Sequence, residues 1–99
     1  MILERAIFAV RPGTEPDFEA AMEQAKDVIA QAGGFRSFRL QRGIEQPSTY
    51  LLLVEWDTLE DHVQGFRASE LFVRWRELID PHFAAPPEVE HYTSTLVSR

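Results

Sequence analysis

The chain is predicted to fold as an α+β domain of order βαββαβ, a four-stranded antiparallel sheet with two helical segments on one face. Three observations predict it. Runs with strand character lie at 2–10, 35–42, 48–57 and 88–97, an unbroken helical stripe runs through 14–32, and a second helical pattern fills 58–79. In 99 residues that order gives the split-βαβ, ferredoxin-like arrangement as one domain spanning 1–99.

The first strand, ILERAIFAV, ends at the turn signal Arg11-Pro12-Gly13. Thr14 then stands as an N-cap with Asp17 three residues on, and Pro16 sits in the first turn, where its missing N–H costs nothing. Phe18, Ala21, Met22, Ala25, Ile29 and Ala32 form one helical stripe, which Gly33-Gly34 stops. The strands at 35–42 and 48–57 flank a connection holding Gly43 and Pro47 and read as an antiparallel pair.

Within that pair, Tyr50-Leu51-Leu52-Leu53-Val54 is apolar on both faces of a pleated strand, so something must cover the face away from the helices. A second copy packed sheet to sheet is the expected cover, because buried apolar area is worth roughly 25 cal/mol per Å². Homodimerisation is the expectation. Thr58 caps the next helix with Asp61 three residues on, and Leu59, His62, Val63 and Phe66 are placed on its inward side. Ser69 marks a restart. Leu71, Phe72, Trp75, Leu78 and Ile79 continue the helical spacing to Pro81, with Glu70 and Arg74 spaced for an i, i+4 pair. The break Ala84-Ala85-Pro86-Pro87 precedes the final strand.

Composition excludes several functions. There is no cysteine, hence no disulfide, thiolate nucleophile or zinc-thiolate site. A formal charge of −6, with arginines scattered among acids, argues against a nucleic-acid partner. The longest apolar stretch is too short to cross a bilayer, and Glu4 stands where a signal peptide would carry its apolar run. A cytoplasmic protein with no membrane partner is expected.

The stretch YLLLVEWDTLEDHVQGFRASELFVRWRELIDPHF, followed by PPEVEHY, resembles the antibiotic biosynthesis monooxygenase family through Glu55, Trp56, Thr58, His62, Ser69 and Phe72. The resemblance spans nearly the whole chain. It implies a dimeric α/β barrel with a pocket in each subunit between helices and sheet. Such domains include cofactor-free oxygenases of phenolic or quinol substrates, haem degraders and isomerase-like members.

His62 is the first candidate for chemistry, a general base directed toward the pocket, with a partly buried and merely satisfied histidine as the bland alternative. His91 shares the alternation set of Val89 and Thr93, which places it either in the pocket or at a dimer edge. Trp56 is expected as an aromatic wall, an expectation the family resemblance supports. Phe66, Phe72, Trp75 and Phe83 would thicken that lining, although such spacing also describes any core-facing helix. Arg67 and Arg76 could bind a phenolate or enolate oxygen, or pair with acids at the surface. His62, His82 and His91 show no metal-ligand spacing, and there is no phosphate loop, so neither metal nor cofactor is expected. Haem-degrading relatives use Asn, Trp and His, and this chain contains no asparagine.

The leading expectation is therefore a cofactor-independent monooxygenase of a small aromatic substrate, which itself supplies the electrons. His62 would be its base, Trp56 its wall and Arg67 its anion partner. The alternatives are a non-catalytic dimeric module that binds a small apolar ligand or a partner protein, and an isomerase or decarboxylase that uses the same base without oxygen.

Overall fold

The computed structural model describes residues 1–99. Its elements are β1 (Ile2–Ala9), α1 (Glu15–Ile29), β2 (Phe35–Arg42), β3 (Thr49–Trp56), a π-helical turn (Asp61–Phe66), α2 (Glu70–Ile79), a 3-10 turn (Asp80–His82) and β4 (Glu88–Tyr92). The sheet is antiparallel in the order β2-β3-β1-β4, the ferredoxin-like arrangement that the element order predicts. No helix is long and apolar enough to cross a membrane.

Register decides what the sheet presents. Pairing of Ala6 with Leu52 and of Phe8 with Tyr50 sends those four side chains, with Val54 and Trp56, to the helix-covered face, where all are buried. Phe18, Met22, Ala25 and Ile29 from α1 and Trp75 and Ile79 from α2 close the core over them. Leu51 and Leu53 point the other way and are only half-buried, beside Ile7 and Leu3 on the same outer face. The two-sided apolar strand thus leaves an uncovered apolar face in the single chain.

Several local expectations are corrected. Thr14 makes no side-chain cap; its hydroxyl donates instead to the Arg11 carbonyl at 2.7 Å. The first turn of α1 is tied by Glu15, whose carboxylate accepts from the Gly13 N–H at 2.9 Å and the Ser48 hydroxyl at 2.5 Å. Those bonds hold its pKa below the usual carboxylate value. α1 ends at Ile29, short of Ala32, and the chain turns through Gly34 at φ +82°, a conformation that favours glycine. A Cβ at Gly34 would also collide with the Asp61 side chain. Glu70 and Arg74 form no ion pair, and the i, i+4 pair in α2 is Arg76–Asp80 at 2.8 Å. β4 stops at Tyr92, short of the expected 97, with its pairing to β1 running from Leu3–Tyr92 to Ile7–Glu88.

Thr58 does cap as expected, accepting the Asp61 N–H at 3.1 Å. The segment that follows is not a regular α-helix. Its Arg67 N–H bonds the His62 carbonyl at 3.1 Å, an i to i+5 step. Leu59, expected to face inward, is 40% exposed, because the inward set begins only at His62.

Candidate functional site

The residue that organises the site is a carboxylate in the middle of a hydrophobic strand. Glu4 shares the inward alternation of Ala6 and Phe8, and it is 5% exposed. β1 pairs Glu4 with His91 of β4 on one side, while Trp56 on the other side donates its indole Nε1–H to Glu4 Oε1 at 3.0 Å. His62 descends from the π-helical turn onto this cluster. Its Nε2 lies 3.3 Å from Glu4 Oε1, and its Nδ1 is hydrogen-bonded to His91 Nε2 at 2.8 Å. Which imidazole donates in that bond depends on the tautomer.

Packing fixes the imidazole. The Trp56 indole stacks on it at 5.2 Å and 19°, and Phe66 lies at 6.3 Å and 25° on the same turn. Burial, helped by the Arg67 guanidinium and by His91, pushes the His62 pKa down to about 3. His62 is therefore neutral near pH 7, and its contact with Glu4 is not an ion pair. Burial also lowers His91, with Arg67 adding to the effect. Glu4 moves the other way: burial raises its pKa against the lowering effects of the Trp56 bond and Arg67.

A cavity of about 220 Å³ opens beside this cluster between the sheet and α2. Glu4, Ala6, Phe8, Leu52 and Val89 form its sheet side, and Phe66, Phe72, Trp75 and Ile79 close it from the helical side. Phe83 and Pro87 finish one end. The polar groups on this mostly apolar wall are Glu4, His62, Arg67, Arg76 and Asp80. Arg76 is engaged by Asp80, whereas Arg67 has no carboxylate within 4.0 Å. In an α-helix, at 3.6 residues per turn, Arg67 would lie well round the cylinder from His62. The i to i+5 turn brings both to the cavity.

The expected residues are thus distributed over four positions. His62, Arg67, Phe66, Phe72, Trp75, Phe83 and Arg76 line the cavity. Trp56 is fully buried behind His62, off the cavity wall, and supports the imidazole and Glu4. His91 is also off the wall, half-buried on the edge strand and joined to His62. His82 lies apart, with its ring edge-on to Phe18 at 6.0 Å. Glu4 was not among the expected residues, although an acid that alternates with Ala6 and Phe8 is a legible sign of a buried carboxyl group. No group of three or more His, Cys, Asp or Glu side chains is arranged to hold a metal ion.

The chain is thus a ferredoxin-like sheet domain whose core is opened by a mostly apolar cavity, lined by the Glu4 carboxyl and the His62 imidazole, with His91 joined to His62 behind the wall. The chain is a member of the antibiotic biosynthesis monooxygenase family, whose model matches residues 1–78. It is 39% identical over 92 residues, 93% of this chain and 97% of the other, to the uncharacterised Bacillus subtilis (strain 168) protein YczJ. A crystal structure of a candidate antibiotic biosynthesis monooxygenase from Bordetella bronchiseptica superposes with a TM-score of 0.92 at 42% identity, covering 96% of this chain and 97% of that one. The fold is shared with a Streptomyces coelicolor monooxygenase from the gene ActVA-Orf6, solved with nanaomycin D, at a TM-score of 0.82 and 19% identity. That match covers 99% of this chain and 90% of the other.

Proposed function

We propose that the chain is a monooxygenase without a resident cofactor, acting on a small phenolic, quinol or anthrone-like substrate, as a dimer joined through the outer sheet face. One observation carries the reading. A buried acid–base cluster centred on His62 meets an apolar cavity at whose wall Arg67 stands without a carboxylate partner. The S. coelicolor monooxygenase, solved with nanaomycin D, supports the substrate class. The cavity, at about 220 Å³, lies below the roughly 300–1,000 Å³ of drug-sized sites, which favours a compact aromatic.

In this mechanism the cluster takes a proton from a phenolic oxygen or an activated C–H, and the Arg67 guanidinium stabilises the anion that remains. The anion passes an electron to O₂, the two radicals join in a C–O bond, and the peroxide takes up a proton. Loss of water then leaves a carbonyl. For an anthrone methylene the balance is CH₂ + O₂ → C=O + H₂O: four electrons leave carbon, one oxygen atom stays, and the other departs with both hydrogens.

An oxygen electrode with a panel of hydroxyanthrones and quinols tests this. The expected result is protein-dependent uptake of one O₂ per anthrone converted to its quinone. Proton exchange from substrate without uptake would favour the isomerase reading, and binding with neither would favour the non-catalytic module.

The dimer has its own test. Leu51 lies on the outer face and Leu52 in the core. Leu51→Asp is expected to give a folded monomer by light scattering at micromolar concentration, whereas Leu52→Asp should unfold the chain, because an unpaired buried charge costs several kcal/mol. A parent protein that is monomeric, or a Leu51→Asp variant that stays dimeric, would refute the packing.

A further inference from the structure

The cluster of Glu4, His62 and His91 has an inner and an outer end. Glu4 Oε1 receives the Trp56 N–H and faces His62 Nε2, while Glu4 Oε2 has no hydrogen-bond partner. It is not sealed off, because Arg5 Nε alone among side-chain polar atoms is both shut from solvent and unpartnered. Glu4 is 5% exposed and lines the cavity, and Oε2 is the oxygen it has free for a ligand there. At the other end His91 is half-buried on the edge strand, off the cavity wall, with its Nε2 on His62 Nδ1.

From this geometry we infer that Glu4 is the catalytic residue that takes the substrate's proton, and that His62 and His91 pass a proton on from it to solvent at the sheet edge. The inference rests on the aromatic-substrate reading above and assigns the atoms within it.

The path balances with one proton in and one out. At rest Glu4 is a carboxylate, His62 donates its Nδ1–H to His91 Nε2, and His91 carries its own proton on Nδ1. The substrate's proton goes to Glu4 Oε2, and rotation of the carboxyl presents it to His62 Nε2. The Nδ1 proton of His62 then moves to His91 Nε2, and the Nδ1 proton of His91 leaves to water. Both end states keep the 2.8 Å bond between the rings, with donor and acceptor exchanged, and the starting tautomers return when a proton passes back along the same path to the peroxide. The remaining charged groups on the cavity are Arg67, which favours an anion in the cavity, and the Arg76–Asp80 pair. Burial raises Glu4 toward the pH at which a base is most effective and leaves His62 neutral, so the imidazole holds the proton only in passing.

The experiment is deuterium exchange into the methylene of a hydroxyanthrone in anaerobic D₂O, followed by NMR beside oxygen uptake in air. The unmodified protein is expected to accelerate both. Glu4→Gln keeps an acceptor for the Trp56 N–H and the shape of the side chain, and near-ultraviolet circular dichroism checks its fold. It is expected to lower catalysed exchange by roughly 10²–10⁴-fold. His91→Ala should lower exchange by about tenfold, since it stands further from the substrate, and imidazole added to the buffer should restore it, which a purely structural role would not allow. Full exchange in Glu4→Gln, or loss in His91→Ala that imidazole does not restore, would overturn the inference and leave the oxygenase reading intact. Uptake by the unmodified protein without anaerobic exchange would overturn it too, and a protein that does neither would overturn both.

Discussion

His62→Ala is expected to slow oxygen uptake with a hydroxyanthrone by roughly 10²–10⁴-fold, the usual worth of a positioned proton-transfer group. The substitution removes the side chain that links Glu4 to His91. It also empties the space beneath the Trp56 indole, so a fall in rate alone would not separate proton transfer from positioning. His62→Gln makes the separation. Glutamine fills much of the volume and can hydrogen-bond to both neighbours, but it cannot gain a proton on one atom while losing another from the far side. Both variants should therefore be slow while retaining the far-ultraviolet spectrum and oligomeric state of the parent. A His62→Gln enzyme with full turnover would remove the imidazole from the chemistry and leave Glu4 to act directly on solvent.

The sheet arrangement follows from the βαββαβ succession, and the core from alternation, because a half-buried strand must repeat every second residue. Glu4 obeys that alternation too, but an acid in an apolar run reads first as an interruption. The inward face of His62 follows from helical spacing, but the placement of Arg67 beside it does not. That placement depends on an i to i+5 turn, and nothing in DHVQGF distinguishes a π-helical turn from an α-helical one. Contact between His62 and His91 was equally hidden. It requires the register that sets His91 opposite Glu4, and short edge strands such as β4 carry little pattern from which to read register. The aromatic spacing of 66, 72 and 75 predicts a core-facing helix, and the cavity arises because those rings cover the sheet without filling the space over Ala6.

The second large effect is on stability, and its sign follows from where protons bind. His62 titrates at 6.5 in the unfolded chain and at about 3 when buried, so between those values the unfolded state holds one proton more. Stability then rises with pH. The contribution of a neutral His62 is fully present above pH 6.5 and is lost as the pH falls toward 3, at about 1.4 kcal/mol per pH unit. Urea unfolding across that range should show the parent losing stability relative to His62→Gln with this slope, to a total of roughly 3–5 kcal/mol. Glu4 has the opposite sign. Its buried pKa is raised above 4.5, so the folded state holds the extra proton, and the stability this gives at low pH is lost as the pH rises through the raised value. Glu4→Gln should therefore gain on the parent at neutral pH and show less advantage at pH 4. Difference curves that stay flat in both variants would mean that neither group changes its proton affinity on folding, and the buried cluster would have to be more open to water than its packing against Trp56 and Phe66 allows.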